Sequence, residues 1–241
     1  MGVPRWCITA IAGKSEGSKE LDVALLLRAR RRSRLLTLLA ALSTAVSASL
    51  LAVTASHAQP CCGAITPNGE RLLTRLDASG VDHLWLPHQH IHWETGALDD
   101  DPYGVRASTH CSAFVAAFSK ALGIYVLRPP DHSLTFLASA QMRWLAFDGP
   151  AAGWRRLPDA AAAQRSANQG NLVVVAYENP DRHKPGHIAF VRPGLPDLAR
   201  LSSEGPNVTQ AGGINAISIP LARGFRHPRD QLGFFEHTIS W

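Results

Sequence analysis

The chain has no Cys-x-x-Cys pair and no His-Glu-x-x-His segment, so neither of these zinc-binding spacings is open to it. It has no internal repeat, and past its first 58 residues no long low-complexity stretch, so residues 59–241 read as one domain. An excess of charge of one sign is missing as well. The formal net charge of the whole chain is +5, but residues 1–58 hold 8 of its 24 Lys and Arg and 3 of its 19 Asp and Glu. The remaining 16 basic and 16 acidic residues cancel. The basic character therefore belongs to the N-terminal segment, and a nucleic-acid-binding surface is excluded on that ground. Cysteine is scarce: there are four, and Cys7 lies in that same segment, leaving Cys61, Cys62 and Cys111.

What is present starts with export chemistry. Arginines crowd "RARRRSR" from Arg28 to Arg34, and Leu35 to Val53 then runs without a charge. "TASHAQ" follows, with Ser56 and Ala58 as the small residues a signal peptidase reads. A basic region, an apolar region and a small-residue site in that order describe a secretory leader over 1–58. Left uncleaved, the apolar run is about long enough to anchor the chain in a bilayer, the one membrane contact expected. Either way the functional part is expected outside the cytoplasm, periplasmic or secreted. An exported protein with three cysteines pairs one between chains or keeps one thiol free. Cys61 and Cys62 are expected to bridge to each other or to a partner, and Cys111 to stay free.

The rest divides into helices first and strands afterwards, which predicts an α+β domain. Residues 59–100 read as an N-terminal extension and 101–241 as the main domain. "NGERLLTRLDASG" predicts a short helix with Leu72, Leu73 and Leu76 on one side and Gly80 as its stop. "VDHLWLPHQHIHWETG" reads as strand or ordered loop. "THCSAFVAAFSKALG" predicts a helix whose face carries Phe114, Val115, Phe118 and Leu122, with Thr109 as cap and Gly123 as end. A second helix is expected in "SLTFLASAQMRWLAF", with Leu137, Met142 and Leu145 in the core, and a short third in "PDAAAAQRSAN". After Asn168 the pattern turns to strands: "NLVVVAYEN", "HIAFVRP", "ARLSS", "NVTQAG", "AISIPLA" and "GFFEHTISW".

Cys111 stands where the apolar helical pattern begins. A cysteine attacks as thiolate, and the unpaired N–H groups and dipole of a helix start favour that charge. The Cys111 N–H is also placed to hold an oxyanion during acyl transfer. A base must come from elsewhere, and His187 in "KPGHIAFVRP" opens a buried strand with Gly186 as its bend. Each residue alone has a plain structural explanation, a small core cysteine and a strand-end histidine. The pairing is what makes them chemical candidates.

These blocks resemble the papain-like cell-wall hydrolases, the NlpC-type peptidases and the cysteine, histidine-dependent amidohydrolase/peptidase (CHAP) family. The usual "DCSGFV" stands here as "HCSAFV", and the "GDLV…HVAIV" pattern as "GNLVVVAYENPDRHKPGHIAFV". The resemblance spans roughly Thr109 to Gln210, with His110 and Ala113 as the departures beside the cysteine. It implies a papain-like fold, N-terminal helices packed on an antiparallel sheet, and cleavage of amide bonds in peptidoglycan peptides by Cys111 and His187. It also implies a third polar residue on the next strand that orients the histidine. Gln210 is favoured, its carbonyl oxygen accepting from His187 Nδ1–H, with Glu204, Asn207 and Asn215 as rivals. Tyr103 is the residue for an upstream hydroxyl near the oxyanion. The expected partner is peptidoglycan or a cell-wall peptide, with no cofactor.

Two other functions stay open at this level. An amine in place of water would make a thiol acyltransferase. A non-catalytic wall- or partner-binding protein would use "HLWLPHQHIHWETG" as its surface. His88, His90 and His92 alternate, so one strand face would carry all three toward a metal, with His83, His110 and His183 as additions, but Pro87 opposes a regular strand and no metal site is expected. Trp85, Trp93 and Trp144 are expected mostly in the core.

Overall fold

"LVVVAY", Leu172–Tyr177, is apolar at every position, too uniform for a strand with one wet face. The fold accounts for it, because helices cover both faces of the sheet and all six residues are buried. The computed structural model describes residues 60–99, 105, 106 and 109–241. The expected leader and Tyr103 fall outside them. Ala58–Trp241 forms one compact unit.

In chain order the elements are α1 (Pro67–Asp77), β1 (His90–Ile91), β2 (Val105–Arg106), α2 (Cys111–Ala121), α3 (Leu137–Phe147), β3 (Arg155–Leu157), α4 (Ala160–Asn168), β4 (Leu172–Tyr177), β5 (His187–Val191), α5 (Leu198–Glu204), β6 (Asn207–Gln210), β7 (Ala216–Pro220), α6 (Leu221–Gly224) and β8 (Leu232–His237). Strands β3-β8-β4-β5-β6-β7 form one six-stranded sheet in which every neighbouring pair is antiparallel. The architecture is α+β. Among the described residues, no helix is long and apolar enough to cross a membrane.

The two-residue period of the strands sorts their side chains into two cores. Leu172, Val174 and Ala176 of β4 and Ile188 and Phe190 of β5 join Phe114 and Val115 of α2 and Leu145 of α3. Val173, Val175 and Tyr177, with Ala189 and Val191, meet Ala163 and Ala167 of α4 on the opposite face. Helix α2 is held to the sheet by aromatic contacts, Phe114 lying edge-on to Phe190 at 5.6 Å between centroids and Trp85 edge-on to Phe114 at 5.2 Å. Residues 60–99 thus supply the same core through Leu72, Leu76, Val81, Trp85 and Ile91. Gly96 is required there, since a Cβ would lie 2.3 Å from the Trp85 ring. Trp93 and Trp144 are only half-buried.

Several local expectations change. "ARLSS" is helix α5, because Asp197 caps it by accepting from the Arg200 N–H at 2.7 Å. Helix α3 begins only at Leu137, with Phe136 before it at a φ of 53°. The edge strand β3 is added; its three residues carry only one buried side chain, Leu157, too short a pattern to read from sequence. Helix α2 ends as expected: Gly123 at a φ of 73° lets its N–H reach the Lys120 carbonyl and the Ile124 N–H reach Ser119. Cys61 and Cys62 are bridged to each other and Cys111 is free.

Asn168, where the sequence pattern changes from helix to strand, ties the N-terminal segment down. Its fully buried amide donates to the Gly63 and Gly194 carbonyls at 3.0 Å each and accepts from the Gly194 N–H and Gln164 Nε2 at 2.9 Å. Its carbonyl also accepts from the N–H and hydroxyl of Thr66, the cap of α1. Asn168→Ala is expected to cost about 3 kcal/mol, because several buried groups lose their partner at once. Urea unfolding with an unchanged m-value is the measurement.

Candidate active site

Cys111 is the first residue of α2, and the cap before it is His110, not Thr109. His110 makes no side-chain cap bond; its ring is turned away, with Nε2 donating to the Gln89 carbonyl at 3.2 Å. Burial holds the His110 pKa below the ordinary value against that bond, with His88 adding to the lowering. His110 is thus a neutral strap between the extension and the helix start. The consequence for Cys111 is direct. A threonine cap would spend a first-turn N–H, whereas His110 spends none with its side chain, and the Ser112 N–H helps to lower the Cys111 pKa.

His187 opens β5 and pairs across the sheet with Tyr177 on β4. The Gly186 before it is needed, since a Cβ would meet the Tyr177 carbonyl oxygen at 2.3 Å and Ser139 Oγ at 2.7 Å. The imidazole lies near enough to the Cys111 side chain for each to move the other's pKa, and it hydrogen-bonds Gln210. Gln210 closes β6, and its Oε1 accepts from His187 Nε2 at 3.0 Å. Its own Nε2 donates to the Ile214 carbonyl at 3.0 Å, which settles which end of the amide faces the ring. The sequence expectation had Nδ1 facing Gln210; the structure uses Nε2. Because the Gln210 oxygen requires a proton on Nε2, Nδ1 of a neutral ring is the nitrogen left for the thiol.

The rivals for that position sit elsewhere. Asn215 donates to the Val81, Leu84 and Trp85 carbonyls and accepts from the Gly212 N–H, holding the extension to the loop after β6. Glu204 pairs with Arg200, and Asn207 reaches Ser218. The alternating histidines do not share a strand face either. Strand β1 holds only His90 and Ile91, and His88 has a φ of 61°. Among the described residues no group of three or more His, Cys, Asp or Glu is placed to hold a metal.

Burial pushes the Cys111 thiol up, yet the charge of His187, its hydrogen bond and the Ile188 and Ser112 N–H groups outweigh it and leave the pKa below the ordinary thiol value. For His187 burial lowers the pKa, while the sulfur's charge and the bonds to Cys111 and Gln210 reverse this and leave it raised. Both shifts run in the direction that favours the charged form of the pair, the thiol titrating below its ordinary value and the ring above its own. Thiolate ultraviolet absorbance, taken as the difference from Cys111→Ala, is expected to persist below pH ~8.5, the value for a free thiol.

Sequence reasoning missed the residues that back this line. Phe225 is buried, with its ring 4.4 Å from that of His187. Gly224 lies so close that a Cβ would sit 2.5 Å from Gln210 Oε1. Gln210 is buried and pinned at both ends, so it has little room to yield. Gly224→Ala is expected to displace the acceptor and, for a line that works as nucleophile and base, to lower the rate of amide cleavage tenfold or more, up to about 10²-fold for a displacement near 1 Å. The fully buried Gln141 donates to the Ser112 and Leu127 carbonyls and so braces the first turn of α2 from α3. The only sequence signal for the Phe225 side was the cluster "LARGFRH".

No protein-family model matches the chain, and no curated protein matches it.

Proposed function

We propose that this protein is an exported cysteine hydrolase of papain-like fold that cleaves amide bonds in peptidoglycan peptides. The observation that carries the reading is the line Cys111, His187, Gln210, with a free thiol at a helix start and a ring tautomer set by a buried acceptor. The Cys111 thiolate attacks the amide carbonyl carbon, forming the C–S bond and moving the carbonyl electrons onto oxygen. The Cys111 N–H has no partner within its own helix, as for any first-turn residue, and is available to that oxyanion. As the C–N bond breaks, His187 passes its Nδ1 proton to the leaving nitrogen. Water then attacks the thioester, His187 takes its proton, and the C–S bond breaks to restore the thiolate. Gln210 keeps Nε2 protonated throughout and so keeps Nδ1 as the working nitrogen.

The wall as substrate rests on the resemblance of "HCSAFV" and "GHIAFV" together with the export-type leader. The test is incubation of the purified protein with peptidoglycan beside Cys111→Ala. New amino groups and soluble fragments are expected from the unaltered protein alone. Equal release from both, or release from neither, overturns the proposal.

A further inference from the structure

A cavity of about 340 Å³ opens beside His187 and Gln210, walled by Ile214, Arg223, Arg226 and His227. Among the described residues no carboxylate lines it, and neither arginine makes an ion pair. Since residues 59–241 carry equal numbers of acidic and basic residues, the two guanidinium groups of this cavity are not part of a general basic excess. Both side chains are exposed, but the backbone that carries them is fixed. Phe225, between them in sequence, is buried against the His187 ring, and its N–H is bonded to the Leu221 carbonyl at 2.8 Å. The ring of His227 is stacked on Tyr177 at 3.7 Å. Burial, and then the charge of His187, hold the His227 pKa below the ordinary value, so beyond the His187 ring the positive charge of the cavity comes from the arginines.

The chemistry says which half of a substrate lies there. His187 delivers a proton to the leaving nitrogen, so the amine half must sit on the His187 side of the scissile bond. The acyl half stays with the sulfur and the first turn of α2. We propose that this cavity is the subsite for the amine half of the substrate, and that Arg223 and Arg226 bind a carboxylate carried on it. The inference rests on the hydrolase reading for its orientation. A planar guanidinium takes a carboxylate through two parallel N–H bonds, which a neutral amide group in its place does not match in charge.

The test compares soluble muropeptides with the same mixture after its carboxylates have been converted to amides. Binding is measured to Cys111→Ala and turnover to the unaltered protein. The native mixture is expected to bind about 10- to 100-fold more tightly than the amidated one. Adding Arg223→Gln and Arg226→Gln is expected to erase that difference while leaving the thermal unfolding temperature unchanged. Equal binding of the two mixtures, no binding of either, or an undiminished preference in the double-arginine variant overturns the subsite. Discrimination in binding with no turnover by the unaltered protein sinks the hydrolase reading and leaves the carboxylate site standing. Turnover without discrimination does the reverse.

Discussion

Cys111→Ala and His187→Ala are each expected to lower amide hydrolysis by on the order of 10⁴-fold or more, and the double variant to be no worse than either alone. The reason is that each side chain moves the pKa of the other toward the charged form. The thiol is 4% exposed, and burial alone would keep it protonated; the charge and hydrogen bond of His187 are what reverse that. Without the imidazole the sulfur keeps its burial and loses its main counter-charge, so its pKa moves up. Without the sulfur the imidazole has nothing to activate. Initial rates of amino-group release from peptidoglycan measure the first effect, and the thiolate absorbance of His187→Ala measures the second. Losses that multiply in the double variant would mean that the two groups act separately, and the ion-pair account would be wrong.

Gln210→Leu is expected to lower the catalytic rate by about 10²- to 10³-fold with little change in KM. Leucine fills similar space but accepts nothing, so His187 Nε2–H loses its bond at 3.0 Å to a buried partner. The ring is then free to place its proton on either nitrogen, and the fraction with Nδ1 ready for the thiol falls. Gln210→Glu restores an acceptor and is expected to recover most of the rate. A merely structural role for Gln210 is separated from this one by the titration of the His187 ring. The Gln210 bond raises the His187 pKa, so the leucine variant shifts that titration downward and the glutamate variant does not. An unshifted titration beside a lost rate would assign the loss to packing.

How far the sequence reached depended on whether the deciding contact was local. The apolar runs in β4 and β5 and the apolar face of α2 follow from short-range periodicity, and they gave the α+β class. Cys111 at the head of α2 and His187 at the head of β5 were placed by the same local signals, and Gln210 by the family resemblance, which implies a polar residue on the following strand. "ARLSS" was misread because five residues carry too little period, and the capping bond of Asp197 decided for helix. Thr109 was misread because capping depends on which backbone turn is taken, and the long contact from His110 to Gln89 fixed that turn.

From composition and pattern alone, this chain determined its charge balance past residue 58, its odd cysteine, and which elements carry the candidate dyad. Those properties are sums over residues or repeats over a few positions. Only the tertiary structure decided that Nε2 faces Gln210, that Asn215 serves the fold, and that Gly224 and Phe225 press on the dyad. It alone set Arg223 and Arg226 beside His187 with no carboxylate among the described residues lining their cavity. Each of these depends on two segments distant in sequence meeting at hydrogen-bond or van der Waals range, and no local period encodes such a meeting.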